Sequence, residues 1–151
     1  MSAATPKLFS CKLIAVVLAG REVLMVRTRH TGLWDLPGGD LHVGEHPEAG
    51  IRRIVESDSS TVVAITGLVG IYNRSTPRLS LVFGATPIVG PIRPGPDVIE
   101  CDWVDADQVD RILPASARQY VTDAFRPAAS RPVVRCLGIP RPPGESAGQA
   151  P

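Results

Sequence analysis

Cysteine is scarce: Cys11, Cys101 and Cys136 are odd in number and far apart along 151 residues. There is no CxxC pair and no Cys/His cluster, which argues against a zinc site and against a disulfide framework. Unpaired thiols suit a reducing compartment, so a cytoplasmic protein is the expectation. Excess charge of one sign is missing too. Sixteen Lys and Arg against fifteen Asp and Glu leave a net charge of +1. No overall field therefore argues for DNA, RNA or an anionic membrane as partner. A small anionic ligand escapes that exclusion, because its binding depends on local donors. A long apolar run is the third absence: Leu13–Ala19, flanked by Lys7 and Lys12, is too short to span a bilayer. No internal repeat is visible. What remains is 44% hydrophobic and 21% charged residues, an ordinary globular composition. The chain is long enough for one domain to bury about two-thirds of its unfolded surface.

The pattern along the chain is of strands around one clear helix. Lys12–Ala19 is a continuous apolar run, as in a strand buried on both faces. Gly20-Arg21 is a turn signal, and Glu22–Arg27 is the returning strand of a hairpin. Thr28 to Gly39 is a loop with Trp34 and Leu36 as buried anchors and a tight bend at Pro37-Gly38-Gly39. A helix is predicted from about His46 to Asp58: Pro47 suits its first turn, Glu48 complements its N-terminus, and Ile51, Ile54 and Val55 share a face. The run Ser57–Ser60 closes it. Strands are expected over Val62–Tyr72, with bends at Gly67 and Gly70, over Leu79–Thr86 and over Ile99–Val104. A last helix is expected over Ala115–Phe125. This order predicts an α/β (α+β) domain over residues 1–126, a helix-flanked sandwich around a mixed sheet. Residues 127–151 accumulate proline, and the expectation there is a disordered tail.

Between Leu36 and Val62 lies the stretch that carries chemistry, LPGGDLHVGEHPEAGIRRIVESDSSTV. Gly39, five residues, Glu45, seven residues and Arg53 resemble the front half of the Nudix box, G-x5-E-x7-R-E-U-x-E-E-x-G-U, where U is a bulky aliphatic residue. The preceding LWDLPGG and the later DVIECDWV, with Asp97, Glu100 and Trp103, are also similar to that family. The resemblance runs from about Lys12 to Phe125 and implies the Nudix α/β/α sandwich. It implies a hydrolase acting on a nucleoside diphosphate linked to another moiety, with Mg2+ or Mn2+ bridging the diphosphate.

The back half of the motif departs. Its acids fall on Ile54, Ser57 and Asp58, its glycine on Ser60 and its last aliphatic residue on Thr61. Only Glu45 and a shortened Asp58 keep carboxylates, so the metal is expected to bind weakly, through Asp58 and the Gly39 carbonyl. Glu45, Asp58 and Glu100 are the catalytic candidates, although Glu45 with Arg53 equally reads as a loop-to-helix tie. Arg27, Arg29, Gly38, Gly39 and Tyr72 are the candidate ligand contacts: the arginines as charge-assisted donors to phosphate, the tyrosine as a stacking surface. The other reading is a catalytically silent Nudix-fold module that binds a nucleotide or phosphorylated metabolite. In both, the partner is a small molecule rather than nucleic acid or membrane, and a homodimer is an analogy with relatives.

Overall fold

The structure, a computed structural model, describes residues 9–140 and 143–144. Eight strands form one mixed sheet: β1 Ser10–Ala19, β2 Glu22–Thr28, β3 Trp34–Asp35, β4 Gly38–Asp40, β5 Val62–Arg74, β6 Arg78–Val89, β7 Val98–Asp105 and β8 Val133–Leu137. The helices are α1 Pro47–Ser59, α2 Ala106–Ile112 and α3 Ala115–Ala124, with a single 3-10 turn at Ala128–Ser130.

The order across the sheet is β3-β2-β1-β6-β5-β8. In addition, β4 pairs with β1 and β7 pairs with β2. The buried run of β1 is central: it lies parallel to β6 on one side and pairs antiparallel with β4 and β2 on the other. Alternation along β1 separates two cores. Leu13, Ala15 and Val17 face α1, packing with Ile51, Ile54 and Val55, while Ile14 and Val16 face α3, packing with Tyr72, Ala117 and Tyr120. A layer of helix on each face gives the α/β/α sandwich expected from the sequence.

Helix α1 has a readable cause at each end. His46 Nδ1 accepts the Glu48 N–H at 3.3 Å as N-cap, Pro47 opens the first turn, and Ser60 ends the helix in a left-handed conformation (φ 61°). The bends anticipated at Gly67 and Gly70 are register shifts in the β5–β6 pairing.

The expectation of a disordered tail over 127–151 fails for its first part. Ala128–Ser130 forms the 3-10 turn, and Val133–Leu137 adds β8 in parallel to β5 at the sheet edge. The cause is a buried acid. Asp123 on α3 is fully buried and accepts two bonds from Arg135 of β8, at 2.7 and 2.8 Å, as well as one from the Tyr72 hydroxyl at 2.7 Å. Residues 141–142 and 145–151, where the rest of that expectation falls, lie outside the described residues.

Candidate functional site: a box loop and helix without its carboxylate cage

The box begins in strand β4, where Gly38 and Gly39 pair with Ile14 and Leu13 of β1, so the bend expected over Pro37-Gly38-Gly39 is confined to Pro37. From there the loop runs to α1 and is tied to it by Arg53. The Arg53 guanidinium donates to both oxygens of Glu45, at 2.8 and 2.9 Å, and to the Asp40 carbonyl at 3.0 Å. The Glu45 carboxylate also accepts the His42 N–H at 3.1 Å. These bonds hold the Glu45 carboxyl well below its ordinary range, at about 2, the Arg53 guanidinium being the largest cause. Three donors on two oxygens make Glu45 a fastener of the loop, the structural side of its two readings.

The next turns of α1 differ in kind. Ile54 is 4% exposed and belongs to the α1-side core. A methyl group built on Gly39 would sit 3.3 Å from the Ile54 side chain, so the isoleucine packs directly over that glycine. Ser57 is exposed. Asp58 is half-buried; burial first, and the neighbouring Asp97 second, raise its carboxyl to about 6 against the pull of the Gly38 backbone N–H. The loop between β6 and β7 lies across this end of the helix: Arg93 N–H donates to the Ser59 carbonyl at 2.8 Å and Gly95 N–H to the Asp58 carbonyl at 3.1 Å. A Cβ at Gly95 would overlap the Ser57 carbonyl, 1.7 Å away, so only glycine allows the loop to approach so closely. The last carbonyls of α1 therefore find donors in that loop, whose composition alone showed no role.

The remaining predicted residues divide. Arg27 lies opposite Glu100 in the β2–β7 register, with Nη1 4.0 Å from Oε1, and its Nε donates to the Gly32 carbonyl at 2.9 Å. Arg29 donates from Nε to the Pro96 carbonyl at 2.9 Å and so holds the β6–β7 loop. Both arginines keep further guanidinium nitrogens for a ligand. Tyr72 does not line a site. It is fully buried, set edge-on against Tyr120 at 4.5 Å between ring centroids, with its hydroxyl committed to Asp123. Alternate residues of β5 face α3 at this point, which puts Tyr72 in the core. Cys101 is a half-buried free thiol packed against the α1-side core, as its reading as a small apolar residue implied.

Sequence reasoning passed over a second group of polar residues. Lys12 on β1, Arg74 on β5 and Arg78 on β6 line a cleft of about 280 Å³ on the α3 face of the sheet, with Ser80 and Tyr120 in its wall. They lie on three strands well separated in the chain, and only strand pairing brings them together. The cleft adjoins the box, since a Cβ on Gly38 would sit 3.4 Å from the Lys12 side chain.

A mixed sheet between helices, with a glycine-rich strand feeding an arginine-tied helix, defines an α/β/α sandwich. More narrowly, the chain belongs to the Nudix family: the model of the NUDIX domain matches residues 12–124. A MutT-like protein of Streptomyces ambofaciens is 34% identical over 110 residues, 71% of each chain. Among solved structures, the MutT protein of Methanosarcina mazei aligns with a TM-score of 0.68 at 22% identity, over 79% of this chain and 94% of that one. An ADP-ribose pyrophosphatase of Streptococcus suis aligns at 0.68 and 17%, over 84% and 98%. These two likenesses establish the fold.

Nudix hydrolases generally use divalent cations. The residues here do not suit one held by the protein alone. Among the described residues no three His, Cys, Asp or Glu side chains cluster as a metal site. The Ile54 side chain occupies the space over Gly39, and of the two box carboxylates one is fastened to Arg53, which leaves Asp58 as the single free motif acid.

Proposed function

We propose that this protein binds a small molecule of the nucleoside-diphosphate class beside the glycine pair of β4, and that its metal-dependent pyrophosphate hydrolysis is weak or absent. The observation that carries this reading is Ile54, buried against Gly39 where the family pattern has an acid. Around that point the scaffold is kept. The Glu45–Arg53 pair holds the loop in place, and Arg27 and Arg29 supply donors at the edge. Positioning without an activated water is the behaviour of a binder.

Weak hydrolysis, with Asp58, Glu45 and Glu100 as the acids and Mg2+ or Mn2+ brought in with the diphosphate, is the second reading. The half-buried Asp58 favours it, since this box carboxylate stands near a second acid, Asp97, from the later segment. Calorimetry with ADP-ribose, paired with phosphorus NMR of the same mixture after long incubation in Mg2+ or Mn2+, separates the two. Saturable heat with no new phosphorus signal is the expected outcome. Steady turnover that disappears in Asp58→Ala would replace binding by hydrolysis as the function.

A further inference from the structure

The α3-face cleft gathers three cations from three strands. Lys12, Arg74 and Arg78 make no ion pair among the described residues. The one carboxylate among the residues lining the cleft, Asp35, accepts the Leu36 N–H at 2.8 Å. A second acid, Asp40, stands opposite Lys12 in the β1–β4 register and is exposed. Arg74 is fixed in place: one terminal nitrogen donates to the Tyr120 hydroxyl, and its guanidinium carbon lies 5.6 Å from the centre of that ring. Its Nε is nevertheless buried with no partner among the described residues. A buried guanidinium N–H without an acceptor is costly and rare in a native structure. The Tyr120 hydroxyl accepts from Arg74 and has no acceptor for its own proton among the described residues. One tyrosine-held arginine and two further cations thus line one hollow.

We infer that this cleft takes a phosphomonoester, so that the ligand carries a terminal phosphate in addition to the diphosphate read at the box. The charge balance points to a dianion: three cations against one lining carboxylate match a phosphomonoester, at about −1.5 to −2 near neutral pH, better than a single carboxylate. Size limits the rest. At about 280 Å³ the cleft lies just under the range of roughly 300–1,000 Å³ typical of whole-ligand pockets, which leaves room for a phosphorylated sugar and not for an entire dinucleotide. The site lies on the opposite face of the sheet from α1, with Lys12 beside Gly38 linking it to the box. This inference rests on the ligand-binding reading of the box, and separate probes test the two.

Amide NMR titration of the full chain with ribose 5-phosphate, with ribose and with ADP-ribose decides it. Ribose 5-phosphate should shift the amides around Ser80 and Ala117 saturably while ribose at equal concentration does not. Lys12→Gln and Arg78→Gln should each weaken that binding about tenfold, as the loss of one charge-assisted contact implies. Arg52→Gln on the exposed side of α1 should leave it unchanged, and thermal melts confirm that the rim variants fold. Equal binding of ribose, no effect of either rim variant, or shifts confined to Gly38–Glu45 would overturn the cleft assignment. ADP-ribose shifting the box loop while ribose 5-phosphate leaves the cleft unmoved would sink this inference and spare the box reading. The reverse would sink the box reading and keep the cleft. Silence from both sugars' phosphates overturns both.

Discussion

The two faces of the sheet hold opposite kinds of chemistry. The α1 face, which carries the box, is packed with apolar side chains up to the glycine pair: Ile51, Ile54 and Val55 meet Leu13 and Phe83, and Asp58 is the single box carboxylate not fastened elsewhere. The α3 face is polar where it should be dry. Asp123 is buried there among Tyr72, Gln119 and Arg135, and three cations with no ion pair among the described residues line the cleft on that face. The α1 face keeps the loop-to-helix tie of Glu45 and Arg53, with Ile54 packed into the core beside it. In this chain Ile54, at a position where the family pattern has an acid, serves the core instead.

Three substitutions break or sharpen that contrast. The largest effect is expected on the α3 face. Asp123→Ala leaves Arg135 and the Tyr72 hydroxyl without their shared acceptor and should cost about 3 kcal/mol or more in urea unfolding. It should also free β8, seen as faster amide exchange over Val133–Leu137. A loss under about 1 kcal/mol would mean that the network is not what holds β8 to the sheet.

On the α1 face, Ile54→Ala opens a cavity beside Gly39 and should cost about 2–4 kcal/mol, with no change in any residual turnover. A surface-like cost of a few tenths would contradict the packing described for the box.

The smallest effect has the opposite sign. The Asp58 carboxyl is raised to about 6 from an ordinary value near 3.8, so the folded state binds the proton more tightly than the unfolded one. Folding is then penalised as pH rises through that window, and the penalty is fully present above pH 6. Asp58→Asn should stabilise the protein by about 1 kcal/mol at pH 7.5, after allowance for partial exposure, and by nothing at pH 3.5. Destabilisation at both pH values would show that the carboxylate serves the fold. Glu45 runs the other way: held at about 2, its contribution is present above about 4.5 and lost as pH falls toward 2.

Much of this was legible in the residues and some was not. The β1 run, the α1 face and its His46–Pro47 start, and the box up to Arg53 are local patterns, and each stands where it was read. Tyr72 was misplaced because a strand gives its alternation freely but not which face meets a helix; Tyr120, far along the chain, decides it. β8 was missed because proline-rich flanks masked five residues whose pairing depends on Arg135 reaching Asp123. Helix α2 is only seven residues long, and its one signal was Asp105 as N-cap, accepting the Asp107 N–H at 2.9 Å. The cleft cations come from three strands, so no spacing could announce them.

The central claim is that the box no longer holds a metal of its own. Manganese titration followed by electron paramagnetic resonance tests it most directly, on the wild-type chain and on the double substitution Ile54→Glu with Ser57→Glu. The account predicts that free Mn2+ tracks total Mn2+ for the wild type, with no saturable site below millimolar concentration, and that the double variant gains one. A stoichiometric micromolar site in the wild type, abolished by Asp58→Ala, would contradict it.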